Sequence, residues 1–223
     1  MGGVLRADIG FAALLAAVPL ADSVKVDLAV RMRAAGRHYH GVGHLALLWR
    51  RHCELAARAG YEDGDSTTLI ACAIAFHDAV YEPAARDNEE RSAQIWLAAS
   101  AAAATPEPTR QWVAETIRAS ASHLAYRPAG EDRLERLRLW FLDLDLSPLG
   151  ERPAVFDHNT VLLRRECPHL DEATWQSRRI GFLAHLGSAP VLYRSPVFQD
   201  LFERPARRNI ARELARCRGL AEG

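Results

Sequence analysis

The sequence predicts an all-α protein, and three observations support this fold class. Apolar residues recur at spacings of three and four along most of the chain, which is the period of an amphipathic helix. Gly, Pro, Asp and Ser stand where these runs begin and end, as helix caps do. No convincing segment alternates apolar and polar residues in the way of a half-buried strand.

The helical runs follow one another with short interruptions. The second run, "KVDLAVRMRAAG", is predicted to end at Gly36 as a C-cap. The third helix is predicted over 44–60 and the fourth over 67–79, with Asp65 and Ser66 as the N-cap. The other helices are predicted in "GFAALLAAV", "NEERSAQIWLAASAAAA", the run that starts at Thr105-Pro106, "DRLERLRLWFLDLDL", "AVFDHNTVLLRRE", "EATWQSRRIGFLAHL" and "PARRNIARELARC". About ten helices in a helical bundle result.

Length and composition narrow the class of protein. With 223 residues, 49% of them hydrophobic, the chain can bury one large core, and no linker or repeat divides it, so residues 1–223 are predicted to form a single domain. The 28 basic and 28 acidic side chains cancel and no basic block occurs, so no nucleic-acid partner is expected. The N-terminal apolar stretch of about ten residues is too short to cross a bilayer, and Arg6 followed by Asp8 disfavours a signal peptide. Four widely spaced cysteines without a CxxC pair predict reduced thiols and therefore a cytoplasmic protein. No membrane partner is expected. The sequence does not specify an oligomeric state.

A His-Asp pair ends the most apolar run of the chain. The stretch "LIACAIAFHDAVYEP" places His77 and Asp78 where the pattern predicts the interior of a helix. Two desolvated polar groups need partners there, and a metal ion is one candidate. A buried histidine bonded to a neighbouring carbonyl is the alternative for His77. The histidines His38 and His52 are predicted to lie on the surface.

Further metal-ligand types occur on other predicted helices. In "RHYHGVGHLALLW", His40 and His44 are four residues apart, and they share one face if the helix starts a turn early. "FLDLDLSPLG" places Asp143 and Asp145 near the end of an apolar helix, where they are either ligands or polar residues on its wet edge. Two imidazoles and two carboxylates from three helices can surround one divalent ion, with Mn, Fe, Co, Ni, Zn and Mg as candidates.

The order His44, His77-Asp78, Asp145 resembles the HD superfamily of metal-dependent phosphohydrolases, an all-helical fold in which those four positions hold the metal. More narrowly, the segments "RHYHGVGH", "FHDAVYEP", "DNEERSA", "DLDLSPLG" and "ARRNIARELAR" are similar to a bacterial branch of predicted metal-dependent HD-superfamily phosphohydrolases. This resemblance covers about residues 37–216. It implies hydrolysis of a phosphoester of a small, nucleotide-like molecule by a metal-activated water, and it specifies no particular substrate.

A second resemblance assigns roles within the site. "YHGVGHLALL" is similar to the Tyr-His-Asn-x-x-His motif of cyclic-nucleotide phosphodiesterases, which implies that His44 binds the metal and that His40 is the general acid. Gly41 stands where that motif has Asn, so any orienting contact from the Asn side chain is missing. Superfamily members often carry Asp-Ala-Asp with the second Asp on the metal, which favours Asp145 over Asp143. About 200° of helix rotation separates these two, so they do not share one inward face.

The implied chemistry follows from charge. Phosphoryl oxygens repel hydroxide, and a bound cation both neutralises them and lowers the pKa of water from about 15.7 towards ~7. Asp78 is predicted to bind the ion and to align the water. Glu82 is a candidate base, with a solvent-facing loop carboxylate as the alternative. Protonation of the leaving oxygen by His40 is worth about 10²–10⁴-fold.

Two further side chains are candidates for substrate contacts. His123 is the only histidine between Asp78 and Asp145, one fewer than two-iron oxygenases of the superfamily usually show. One metal is therefore expected, with His123 at the substrate or a second-shell water, or else a plain histidine at a helix end. Arg37 can reach a phosphate bidentately, or it is a solvated arginine. An HD-type di-iron oxygenase and a catalytically silent metal-holding module are the alternative functions.

Overall fold

The computed structural model describes the backbone of residues 2–221 and the side chains of residues 5–219. All regular structure in this range is helical, so the predicted all-α class is confirmed. The helices are α1 Gly2–Ala17, α2 Asp22–Met32, α3 Val42–Ala59, α4 Gly64–Phe76, α5 Asn88–Ala102, α6 Glu107–Ser120, α7 Arg133–Leu146, α8 Pro153–Glu166, α9 Glu172–Ser188, α10 Pro196–Phe198 and α11 Arg204–Ala221. A 3₁₀ turn, Ser147–Gly150, follows α7, and a π-helical turn, Gln199–Glu203, joins α10 to α11. Over residues 2–221, no helix combines the length and the apolar character that a membrane crossing requires.

The chain forms two compact units, Met1–Leu142 (unit 1) and Asp143–Gly223 (unit 2). The boundary falls within the last turns of α7, which is one continuous helix from Arg133 to Leu146. The single domain expected over residues 1–223 stays a prediction.

Helix α4 lies at the centre of unit 1. Its residues from Ile70 to Phe76 are all at most 1% exposed, because α4 packs against α1, α3, α5 and α6. A helix that is apolar all round is a core helix, which explains the uninterrupted apolar run in the sequence. The chain leaves this core directly after Phe76, so the residues that follow emerge from the most buried helix of the unit.

Two helix ends differ from the predicted ones. Helix α2 ends at Met32, and backbone turns already replace the helix before Gly36. Helix α4 starts at Gly64, because the carboxylate of Asp63 accepts a hydrogen bond of 2.9 Å from the backbone N–H of Ser66. An acceptor three residues before the donor is the usual N-cap geometry, and "EDGDS" offers three acids for this role. The predicted C-cap of α3 is confirmed, since Gly60 has a φ of 72°.

Unit 2 contains an irregular segment that links α9 to α10. We call residues 189–195 the strap. Three charged side chains hold its backbone: Arg207 donates to the carbonyls of Ala189 and Pro190, Glu203 accepts from the N–H groups of Leu192 and Tyr193, and Asp143 accepts from those of Arg194 and Ser195. The strap therefore obtains from side chains the hydrogen bonds that regular structure would supply.

Candidate metal centre

The sequence pattern predicted the His-Asp pair in the interior of the fourth helix. This prediction is wrong, because the pair lies directly after the last residue of α4, Phe76. His77 is the C-cap residue, its side chain is 3% exposed, and its Nδ1 lies 3.0 Å from the carbonyl oxygen of Ile74. Because a carbonyl only accepts, Nδ1 carries a proton, and the lone pair of the neutral ring is on Nε2. The carbonyl contact is the one that a plain buried histidine would make. It is also the bond that orients most metal-binding histidines.

The carboxylate of Asp78 faces two imidazoles. Its Oδ2 lies 3.0 Å from Nε2 of His77 and 3.8 Å from Nε2 of His44. Within the described part of the chain, this buried Oδ2 accepts no hydrogen bond of acceptable geometry. A proton on Nε2 of His77 satisfies this pair, and so does a divalent cation beside both atoms. The donor set consequently fits a divalent metal ion.

Burial opposes ionisation of Asp78, but the neighbouring imidazoles of His77, His40 and His44 outweigh it. Together they hold the pKa of this carboxyl well below its usual range. The carboxylate is therefore ionised at neutral pH, as a metal ligand must be.

Three of the predicted ligands form a cluster. His44, in the first turn of α3, is buried, and Asp145 is half-buried in the last turn of α7. His44, His77 and Asp145 each offer one ligand atom, and these atoms all lie within 4.8 Å of one another. A candidate metal-binding cluster is thus present.

Asp143 has a different task from Asp145. It is 2% exposed, and its carboxylate accepts from the backbone N–H groups of Arg194, at 3.0 Å, and Ser195, at 2.6 Å. Burial raises its pKa to about 7, although the N–H groups of Ser195 and Arg194 act in the opposite direction. Asp143 therefore holds the strap, and Asp145 is the member of this pair in the metal-binding cluster, as the sequence pattern favoured.

His40 lies just before α3. The helix begins at Val42, so the early start that would place His40 and His44 on one helical face is not observed. The ring of His40 stacks on Tyr81, with centroids 4.2 Å apart and planes at 28°, and its centroid is 5.9 Å from that of His44. Its half-buried ring thus lies beside the metal-binding cluster, held by an aromatic contact.

The surroundings of Gly41 disfavour the Asn that the phosphodiesterase motif has at this position. A Cβ at this position would lie 3.0 Å from the carbonyl oxygen of Met32, closer than most Cβ contacts in proteins. An Asn side chain would therefore require the backbone to shift. Stacking on Tyr81 supplies an orienting contact for His40 that Asn does not provide here.

Two other predicted site residues are Glu82, the candidate base, and His123, a candidate substrate contact. The exposed carboxylate of Glu82 accepts a hydrogen bond of 2.8 Å from Arg91, and this contact lowers the pKa of Glu82. A lower pKa makes a carboxylate a weaker base, so the geometry favours the solvent-facing alternative. His123 is half-buried in the turn after α6, and its contact with a substrate stays a prediction.

His52 is not on the surface as predicted. It is 1% exposed, and its Nδ1 accepts a hydrogen bond of 3.2 Å from Nε1 of Trp140. Burial lowers its pKa to about 4. No local sequence pattern indicates this pairing, because Trp140 is 88 residues away. His38 is exposed, as predicted.

Sequence reasoning missed the side chains that hold the loop of residues 77–82, which we call the HD loop. Asn88 exchanges two hydrogen bonds with the backbone of Glu82, at 3.0 and 2.9 Å. Ser92, one turn later on α5, accepts from the N–H of Val80 at 2.9 Å. The signal that could have found them is the spacing of four in "NEERS", which places both polar side chains on one face of α5.

Arg37 also contacts the HD loop. Its guanidinium donates to the backbone carbonyls of His40, Asp78 and Ala79. The contact with a substrate phosphate predicted for Arg37 stays a prediction.

Comparison with known proteins assigns no family. No protein-family model, no curated protein and no solved structure matches the chain. The resemblance to the HD superfamily therefore depends on the motifs quoted above.

Proposed function

We propose that the chain is a metal-dependent phosphohydrolase of the HD type, which hydrolyses a phosphoester of a small, nucleotide-like molecule. One observation carries the proposal. Nε2 of His77 and Oδ2 of Asp78 lie 3.0 Å apart, with Nε2 of His44 3.8 Å from the same oxygen. Two imidazole nitrogens around one buried carboxylate are a ligand set that divalent cations use in proteins.

The residues that would hold the ion are His44, His77, Asp78 and Asp145. Two neutral imidazoles and two carboxylates balance the charge of one divalent cation, and this mixed set suits Mn, Fe, Co, Ni, Zn or Mg. When bound, such an ion polarises a phosphoryl oxygen and lowers the pKa of water towards ~7.

The other steps belong to side chains of the chain itself. Ionised Asp78 orients the attacking water by accepting one of its hydrogen bonds. As the attacking water releases a proton to bulk solvent and forms the new P–O bond, the ester P–O bond breaks, and protonated His40 gives its proton to the departing oxygen. Stacking on Tyr81 holds the His40 ring beside the proposed ligand His44. This proton transfer contributes about 10²–10⁴-fold.

The test combines metal analysis with activity. Metal-stripped protein is assayed with p-nitrophenyl phosphate, bis-p-nitrophenyl phosphate and a panel of nucleotides and sugar phosphates, each with and without Mn²⁺, Fe²⁺, Co²⁺, Ni²⁺, Zn²⁺ or Mg²⁺. We expect turnover to require an added ion and to fall by at least about 100-fold in His77→Ala and Asp78→Ala, because loss of a ligand exceeds the cost of losing an outer contact. His158→Ala, which alters an exposed histidine of α8, is the control and should keep full activity.

Three results would replace the proposal. Turnover that chelation leaves unchanged would exclude a metal-dependent hydrolase. Two irons per chain with oxygen uptake would indicate the oxygenase. Tight metal binding without turnover across the whole panel would indicate a silent metal-holding module.

A further inference from the structure

The HD loop carries Asp78, yet it has no regular structure of its own. Its backbone is held by side chains from outside the loop, namely Arg37, Asn88 and Ser92. Asn88 and Ser92 bind the far part of the loop, at Glu82 and Val80. Arg37 binds the part next to the metal cluster.

The guanidinium of Arg37 joins two separate segments of unit 1. Its Nη1 donates to the carbonyl of His40 at 2.8 Å and to that of Asp78 at 2.7 Å, while Nη2 donates to Ala79 at 3.1 Å. The group also lies 5.8 Å from the ring centroid of Tyr81, the aromatic residue on which His40 stacks. One planar cation thus connects the segment that leads into α3 with the HD loop.

This connection spans the donors of the candidate site. His44 follows the first segment, and Asp78 belongs to the second. When the carbonyl of Asp78 is fixed, its Cα is fixed as well, so the carboxylate keeps its position between His77 and His44. Metal sites tolerate displacements of only about 0.5 Å before the geometry is lost.

We infer that Arg37 is a positioning residue of the metal centre, which sets the distance between His44 and the HD loop. The inference rests on the metal site of the proposed function but not on its phosphoester chemistry. A guanidinium presents several N–H groups in a rigid plane, whereas a lysine presents one compact ammonium, so lysine does not reproduce this bridge. The three carbonyl contacts use three of the five N–H groups of the guanidinium.

The experiment uses Co²⁺, whose visible absorption reports the arrangement of its ligands. Metal-free wild type, Arg37→Ala and Arg37→Lys are titrated with Co²⁺, and the Kd and the spectrum are recorded. Arg33→Ala is the matched control, since Arg33 lies 5.3 Å from the ring centroid of Phe11 and pairs with Asp8, away from the proposed ligands. We expect both Arg37 variants to bind Co²⁺ about 10–100-fold more weakly with an altered spectrum, as loss of an outer contact does. Methylguanidinium should restore the spectrum of Arg37→Ala towards that of wild type, and Arg33→Ala should match wild type.

Other outcomes overturn the inference in distinguishable ways. If both Arg37 variants bind Co²⁺ with the affinity and spectrum of wild type, Arg37 does not position the site, although the metal site stands. Weaker binding of inorganic phosphate alone would then assign Arg37 to the substrate. If wild type itself binds no Co²⁺, the proposed function fails together with this inference. Circular dichroism checks that each variant is folded, and Arg37→Lys, which keeps the charge and the aliphatic stem, supplies the test if Arg37→Ala does not fold.

Discussion

The HD loop in unit 1 and the strap in unit 2 are both irregular segments held by side chains, but they are held by opposite chemistry. Donors from Arg37 occupy carbonyls of the HD loop, and the neutral side chains of Ser92 and Asn88 hold the rest. The strap is held largely by acids, since Asp143 and Glu203 accept its N–H groups. Among the contacts described, no carboxylate accepts a hydrogen bond from a backbone N–H group of the HD loop.

The difference separates the acids that hold a backbone segment from the carboxylate that is proposed as a metal ligand. Asp143 and Glu203 already accept several N–H hydrogen bonds, so their lone pairs are committed. Oδ2 of Asp78 is buried, faces two imidazole nitrogens and accepts no hydrogen bond within residues 5–219. The hydrogen bonds that a buried carboxylate makes therefore indicate its task better than its burial does.

The largest expected effect comes from replacing, one at a time, the two acids at the end of α7 with alanine. Asp145→Ala should weaken the binding of Co²⁺ by at least about 100-fold, because a ligand is lost. Asp143→Ala should keep metal binding but destabilise the fold by about 2–4 kcal/mol, because two N–H groups of the strap lose their acceptor. Co²⁺ titration and urea unfolding of the metal-free variants measure both quantities.

Asp143→Asn sharpens this test. An amide oxygen still accepts one hydrogen bond, so its loss of stability should lie between wild type and Asp143→Ala. Equal loss of metal binding in Asp143→Ala and Asp145→Ala, with folding intact, would contradict the division of tasks between the two acids.

The burial of His52, which lies outside the HD loop and the strap, predicts how the stability of the fold depends on pH. Its pKa is about 4 in the folded protein, against about 6.5 in an unfolded chain, so the unfolded chain binds more protons between these values. Stability should therefore fall as the pH decreases from about 6.5 to 4, by about 3 kcal/mol in total, and this contribution should be absent above neutral pH. His52→Gln, whose amide oxygen can still accept from Trp140, should lose this part of the pH dependence. Urea unfolding of metal-free protein from pH 4 to 8 measures the difference; identical curves for the two proteins would contradict the assignment.

Features that depend on neighbouring residues could be predicted from the sequence, whereas contacts between distant residues could not. The helices followed from apolar spacing, and Gly60 ends α3 as expected because a helix end depends on a few neighbouring residues. The residue types alone predicted a metal site but left Asp143 and Asp145 as alternatives, and the family motifs favoured Asp145, which joins His44 and His77 in the candidate cluster. The bridge made by Arg37 and the burial of His52 depend on contacts 41 and 88 residues away, for which the sequence carries no local pattern.

The smallest expected effect tests whether the HD loop needs its neutral holders. Ser92 is fully buried and its hydroxyl accepts from the N–H of Val80, so Ser92→Ala should cost about 1–2 kcal/mol of stability. It should also weaken Co²⁺ binding several-fold, since Val80 is two residues from Asp78. Ser100→Ala is the matched control on α5, because the hydroxyl of the equally buried Ser100 donates to the carbonyl of Leu97 in the same helix. A Ser92→Ala variant that loses stability yet binds Co²⁺ like wild type would show that Arg37 alone positions the part of the HD loop next to the metal cluster. The strap, which three charged side chains hold, and the HD loop would then differ in the number of side chains that position them as well as in the charge of those side chains.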